Sequence, residues 1–355
     1  MKIVVKKHIL DNMLANLQPF LDKRDNSQIT SHIHMSVSNG ELILKATDYE
    51  MGLRLATTSI VIENYGQATA NGKKFLDIVR NLKDEEIILE TSDDTLLVKQ
   101  KKSIFRLPMF DAGEFPLFPD FKALPKIELD SVKLISAFKK VTPAIDNNNP
   151  KFELNGALID IKEHFINIVS TDTRRLALIE IPQVSTENLS LILPKKAIQE
   201  IQKLFFEEIE VYYDQTNLII ASAGHLFFTK LISGKYPDYQ RILPKQIRYS
   251  LTLPKDKMVE AIRQITTVST DIKMILTPSS ILFESISESN MDAHTEIEQE
   301  CPVPHDIAIA VNSRYILDFM ATIEAKEFSL GINEPHLPFE LKADNFLTIV
   351  MPIML

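Results

Sequence analysis

Scarcity sets the first bounds on this chain of 355 residues. Its single cysteine, Cys301, excludes an intramolecular disulfide and any zinc site built on two or more thiolates. A small, buried, inert thiol is expected there. Only nine glycines are present, and none forms a Gly-Lys-Ser/Thr phosphate loop or a Gly-x-Gly-x-x-Gly fingerprint, so a nucleotide-cradling loop is not expected. No apolar run reaches the length that spans a bilayer. The opening Met1-Lys2-Ile3-Val4-Val5-Lys6 carries charge where a signal peptide needs its apolar stretch, so the expected setting is cytoplasmic, with no membrane partner. Positive charge is in deficit, 39 Lys and Arg against 48 Asp and Glu, for a net charge of -9. That argues against a broad basic surface and leaves room for a local basic face.

What is present is a globular composition, 45% hydrophobic and 25% charged, on a chain too long for one ordinary core. The same order of elements recurs three times, with a repeat of about 120 residues. Amphipathic helices are expected over Ile9 to Leu21, Ser131 to Val141 and Lys255 to Thr267. Each precedes strand-like runs: Ile33 to Val37 and Glu41 to Ala46, Gly156 to Ile161 and Phe165 to Val169, Met274 to Leu276 and Ile281 to Phe283. Asn39-Gly40 marks a tight hairpin and Asp93-Asp94 a second turn. A second helix follows in each repeat, over Lys73 to Leu82, Lys195 to Phe205 and Ser313 to Met320. Pro194 and Pro254 fit first-turn positions, and Asn312 fits an N-cap.

Proline-punctuated aromatic connectors close the first two repeats, Glu114-Phe115-Pro116-Leu117-Phe118-Pro119-Asp120-Phe121 and Gly234-Lys235-Tyr236-Pro237-Asp238-Tyr239. The expected domains are 1–122, 123–245 and 246–355. The third repeat ends at Thr348-Ile349-Val350-Met351-Pro352-Ile353-Met354-Leu355, where the next connector would begin, and its apolar tail is expected to have no successor domain to pack on. Such a tail beside a proline-rich connector suits protein recognition; closure of the last sheet is the alternative.

Charge follows the helices. On a helical wheel Lys195, Lys196, Gln199, Glu200, Gln202 and Lys203 share one arc, with Ala197, Ile198, Ile201, Leu204 and Phe205 opposite. The helix from Ser131 sets Lys133, Lys139 and Lys140 against Leu134, Ile135, Phe138 and Val141, with Val132 a misfit. Over the windows 6–21, 73–83, 130–140, 195–204, 255–264 and 313–320, which cover all or most of each expected helix, the charge sums to +9 in a chain of -9. Repeated helices pointing one way would collect a positive lining within an acidic shell; solvated helix surface is the plainer reading.

Candidate chemistry is sparse. His32 and His34 alternate on a strand and share a face, yet no acidic or cysteine partner stands at a metal spacing. Asp48 with Glu50, Asp93 with Asp94, and Asp172 after Thr171 could be drawn as carboxylate sites for metal-assisted phosphoryl chemistry. Asp48 and Asp172 fall at corresponding places in two repeats, which favours architecture. Neither a metal, a cofactor nor a catalytic residue is expected.

Five segments together carry a specific resemblance: Lys45-Ala46-Thr47-Asp48-Tyr49-Glu50-Met51; Leu154-Asn155-Gly156; Ser170-Thr171-Asp172-Thr173-Arg174-Arg175-Leu176-Ala177; Tyr236-Pro237-Asp238-Tyr239-Gln240-Arg241-Ile242-Leu243-Pro244; and Val350-Met351-Pro352. With them the chain resembles the bacterial DNA sliding clamps over essentially its whole length. The resemblance implies an α+β fold of three repeated DNA-clamp domains, each two helices packed on β-sheet, forming half of a six-domain ring closed by a head-to-tail homodimer. It implies a non-catalytic processivity factor that holds duplex DNA without reading sequence. Its partners would be the replicative DNA polymerase, the clamp loader, repair polymerases and mismatch-repair proteins, bound through linear peptides.

For the peptide pocket the resemblance points to Leu154, Thr171, Thr173, Arg174, Arg175, Leu176, Pro237, Arg241, Ile242, Val350, Met351, Pro352, Ile353 and Leu355. For DNA it points to Arg24, Asn148, Lys151 and Phe152, with Lys73, Lys74, Lys139, Lys140, Lys195, Lys196 and Lys203 facing the channel. The chain departs from the family where Thr173-Arg174 replaces a common Gly-His, Met354 a basic residue, and Phe152-Glu153 two consecutive aromatics. Arg174 is thereby expected to reach an acidic group on a peptide.

Overall fold

The computed structural model describes residues 1–24, 28–287 and 291–354. Among the described residues, six helices carry the amphipathic stripes expected of them: α1 (Lys7–Leu17), α2 (Gly72–Asn81), α3 (Ser131–Val141), α4 (Lys195–Leu204), α5 (Lys255–Thr266) and α6 (Ser313–Thr322). α1 stops short of Leu21 because Pro19, which lacks an amide donor, forces the chain into a 3-10 turn over Gln18–Phe20. Asn312 caps α6 by accepting from Arg314 N at 3.1 Å, and Asn71 does the same for α2 through Lys74 N at 3.1 Å. Pro194 and Pro254 lie one residue before their helices, as the last residues of strands Leu189–Pro194 and Tyr249–Pro254, not in the first turns.

The chain forms two compact units, Met1–Ser131 with Lys203–Leu231, and Val132–Gln202 with Ile232–Leu355. In the first, an eight-stranded antiparallel sheet runs from Lys126–Ile127 to Gly66–Asn71 and is joined at its middle by His225–Lys230 pairing with Met51–Thr57. A five-stranded sheet completes the unit, with Ile60–Asn64 at one edge and Ser103–Pro108 at the other. In the second unit the eight-stranded sheet runs from Leu189–Pro194 to Tyr249–Pro254 and is joined by Arg175–Pro182 pairing with Phe346–Val350. Its companion has four strands, edged by His294–Glu298 and Ile307–Asn312. Each large sheet therefore unites strands from two sequence repeats. Among the described residues no helix is long and apolar enough to cross a membrane.

Local signals act as the residues dictate. Asn39 and Gly40 take φ of 51° and 84° between strands His32–Ser38 and Glu41–Thr47, the geometry of a two-residue hairpin. Asp93, at φ 48°, turns Glu86–Ser92 into Thr95–Gln100. His32 and His34 are buried against the rings of Phe110 and Phe115, at centroid distances of 4.4 and 5.1 Å, so these histidines pack the connector onto the sheet. Glu200, placed by the wheel on the solvated arc of α4, is buried. Cys301 is a buried free thiol.

Candidate peptide and DNA surfaces

The turn from Thr171 to Arg175 is built by its own side chains. Thr171 Oγ1 donates to the carbonyl of Arg175 at 2.6 Å and accepts from Thr173 N at 3.1 Å. Asp172 Oδ1 accepts from the amides of Arg174 and Arg175, both at 3.0 Å. The same lock recurs in the other unit: Thr47 Oγ1 donates to Met51 O at 2.8 Å, and Asp48 Oδ1 accepts from Glu50 N and Met51 N at 3.1 and 2.9 Å. Asp48 and Asp172 thus spend an oxygen on backbone amides, the ordinary work of aspartate in a turn, and the carboxylate-catalysis reading loses its motive. No cluster of three or more His, Cys, Asp or Glu suited to a metal occurs among the described residues.

Strand register sorts the predicted pocket residues by face. Thr171 stands opposite Leu176 and Leu176 opposite Ile349, in one row across the sheet. Leu154 and Leu176 join Tyr236, Tyr239 and Ile349 in a buried cluster that the connector covers. Arg175 and Val350 pair in the neighbouring register position, on the opposite face, and both are buried. The Arg175 guanidinium is consumed there: Nε donates to Asp172 Oδ2 at 3.1 Å, Nη1 to Asp318 Oδ2 at 2.7 Å and Nη2 to the carbonyl of Pro143, over the ring of Tyr315. Arg175 therefore ties the turn to α6, and its neighbour Arg174 is the exposed guanidinium.

The accessible part of the region is its rim. Thr173, Arg174, Arg241 and Ile242 are exposed, and Pro237, Pro352 and Ile353 are half-buried. Met351 and Met354 are 40% and 75% exposed. Met351 N donates to Arg174 O at 2.8 Å and Ile353 N to Ala310 O at 2.7 Å, so the tail is pinned between the turn and a sheet edge with its thioethers outward. Leu355 lies outside the described residues. Arg241 Nε pairs with Asp238 at 2.8 Å, partly neutralising that side of the rim. Beside Tyr236 and Pro237 opens a cleft of about 420 Å³, floored by Leu158 and Ile192.

Sequence reasoning missed what holds the connector down. Tyr239 donates to Asp160 Oδ2 at 2.8 Å and accepts from Asn167 Nδ2 at 3.0 Å, a buried network on the covered face. Burial and the carboxylate together push the Tyr239 phenol up to about 12. The two tyrosines of Tyr-Pro-Asp-Tyr were the available signal, since a buried phenol requires a partner.

Of the predicted DNA residues, Lys73, Lys74, Lys139, Lys196 and Lys203 are exposed. Lys140 is half-buried with its ammonium 5.9 Å from the Phe346 ring centroid, a cation–π contact. Arg24 is exposed but held in a fork by Asp22, at 3.2 and 3.0 Å, and hydrogen bonding to that carboxylate raises its pKa. Asn148 and Lys151 are exposed, and Phe152 is 72% exposed. Lys195 departs from the expected row: it is half-buried, burial lowers its pKa, and its ammonium is bonded within the fold.

Family models described as DNA polymerase III beta subunit match in succession: the N-terminal domain over residues 1–119, the central domain over 128–238 and the C-terminal domain over 240–354. The chain is 41% identical to a beta sliding clamp of Helicobacter pylori, with 100% of both chains covered. It is 28% identical to the beta sliding clamp of Caulobacter vibrioides over 95% of each. The crystal structure of the Helicobacter pylori beta clamp bound to a DNA ligase peptide superposes with a TM-score of 0.96 at 43% identity, covering 100% of both chains.

Proposed function

The chain belongs to the DNA polymerase III beta subunits, the beta sliding clamps, and on that premise we propose that it acts as a head-to-tail homodimer whose six domains close a ring around duplex DNA. In this reading it is a cytoplasmic, non-catalytic processivity factor. The domains 1–122, 123–245 and 246–355 each supply two helices to the lining. Phosphate contacts from the helix cations are weak and blind to sequence, so the ring slides. The rim around Arg174, Ile242 and Met351 takes linear peptides from the replicative polymerase, the clamp loader, repair polymerases and mismatch-repair proteins. A DNA ligase peptide is bound to the Helicobacter pylori clamp, which supports a peptide partner of this kind.

The observation that carries the dimer is a pair of open sheet edges of opposite charge. Ser103–Pro108 ends the five-stranded sheet with Ile104 and Phe105 at 48% and 37% exposure, beside exposed Lys101, Lys102 and Arg106. His294–Glu298 ends the four-stranded sheet with Glu296 and Glu298 exposed. An apolar strand with unpaired backbone groups is a hazard for a monomer and a template for strand addition. One basic and one acidic edge per copy gives two equal joints in a closed dimer.

Native mass spectrometry of the full chain tests this. The dimer, at twice 40.4 kDa, is expected. Phe105→Glu should weaken it by about 100-fold, the scale of losing a central interface anchor, and leave a folded monomer. A parent protein that is monomeric at micromolar concentration contradicts the proposal.

A further inference from the structure

Lys195, the first residue of α4, makes two bonds inside the fold. Its Nζ donates to the carbonyl of Ile145 at 2.6 Å and to Oδ1 of Asn147 at 2.8 Å. Ile145 follows the 3-10 turn Thr142–Ala144 that extends α3. The arrangement recurs where Lys255, the first residue of α5, donates to the carbonyl of Ile323 at 2.7 Å, just past α6. In both places a lysine satisfies an orphan carbonyl at the end of a neighbouring helix, where the helix dipole also favours a cation. The clasp leaves Lys195 poorly placed to serve as a mobile phosphate contact.

What Lys195 clasps is a loop locked by its own side chains. Asp146 Oδ2 accepts from Asn149 Nδ2 at 2.9 Å, Asn149 N donates to Asn155 Oδ1 at 2.7 Å, and Asn155 Nδ2 returns a bond to Asn149 O at 2.9 Å. The loop closes in the 3-10 turn Phe152–Asn155, whose side chains divide between two surroundings. Phe152 is 72% exposed, whereas Leu154, two residues on, is 2% exposed in the cluster with Leu176 and Tyr236. Two side chains on one rigid turn do not move independently.

We propose that Lys195 is a positioning residue whose hold on the loop Ile145 to Asn155 couples the peptide pocket, through Leu154, to the DNA-contacting pair Lys151 and Phe152. The inference rests on the assignment of those two surfaces made above. A peptide seated on the rim packs over the cluster to which buried Leu154 belongs, so it favours one placement of the turn and with it of Phe152. By linkage, DNA tightens peptide binding by the same factor.

The test uses the full-length dimer, a primed duplex and the DNA ligase segment bound to the Helicobacter pylori clamp as probe peptide. Saturating peptide should raise affinity for the primed duplex about 5-fold, the lower end of ordinary coupling between sites. Lys195→Met and Asn147→Ala should each reduce that enhancement to nothing and raise hydrogen exchange across residues 146–155, with the dimer intact. Lys195→Met/Phe152→Ala should bind the duplex no more weakly than Phe152→Ala alone. Lys196→Met, the phosphate-contact control, should lower the salt dependence by about one ion while keeping the enhancement. Additive losses in the double variant, with the salt slope lowered by Lys195→Met, would identify Lys195 as a direct phosphate contact and overturn the proposal. Absence of any peptide effect on the parent protein would overturn it as well. If Phe152→Ala and Lys196→Met both leave duplex binding unchanged, the DNA surface itself is misassigned and the proposal falls with it.

Discussion

Thr173 holds a φ of 73°, a region in which a β-branched side chain is strained, and the Thr171 and Asp172 side chains bond the backbone on both sides of it. Tyr49 sits at φ 69° in the matching turn of the other unit. A rigid turn is what a recognition rim requires, because it fixes where Arg174 projects while Arg175 is anchored beneath. The buried histidines give the residue scale its prediction. Burial depresses His32 from 6.5 to about 4, and burial also lowers His34. Unfolded chains take up these protons as pH falls below 6.5, whereas the folded protein resists until about 4 for His32. Stability is therefore unaffected above that window and declines as pH falls through it, by about 3 kcal/mol for His32 alone across the whole window. Urea midpoints of the parent and of His32→Phe should diverge in their pH dependence between 7 and 4.5, with the parent falling more steeply. Parallel curves would mean that His32 does not resist protonation.

Among the elements, the C-terminal tail has the most direct readout. Deleting Met351 to Leu355 removes two exposed thioethers and the strand-like bonds to Arg174 O and Ala310 O, yet leaves strand Phe346–Val350 within its sheet. Affinity for the DNA ligase peptide should fall at least 100-fold, the scale of losing a hot spot, while the native mass stays dimeric. Unchanged affinity would locate the peptide elsewhere. Helices were legible in the sequence because apolar period and caps agree, as at Asn312, and hairpins because Asn39-Gly40 and Asp93 specify backbone angles. α1 was misjudged at its end because apolar spacing continues through Pro19. The burial of Glu200 and the engagement of Lys195 were not legible, since the acceptor of Lys195 is a backbone carbonyl 50 positions away. The same limit applies to the site: Arg174 and Arg175 are identical letters, and only the pairing of Arg175 with Val350 separates a rim residue from a buried tie.

For the whole molecule, sheet continuity across repeats is the organising feature. A sequence with three similar segments yields two compact units because each large sheet is completed by strands from successive repeats. The proposed peptide rim lies wholly within the second unit. In the first unit, the position matching Leu176 is Gly52, and a Cβ there would meet Phe228 and Phe118, so that turn is packed with the chain's own aromatics. On the proposed reading, this accounts for the rim's place in the second unit. The net charge of -9 with exposed helix cations suits a protein that keeps DNA by enclosure, with little help from affinity. Enclosure of DNA by the ring is tested most directly by loading the dimer onto nicked circular DNA with a clamp loader, removing free protein, and cutting the circle once. Retention on the circle followed by release within minutes of linearisation is the predicted result; protein that stays on the linear DNA would contradict it.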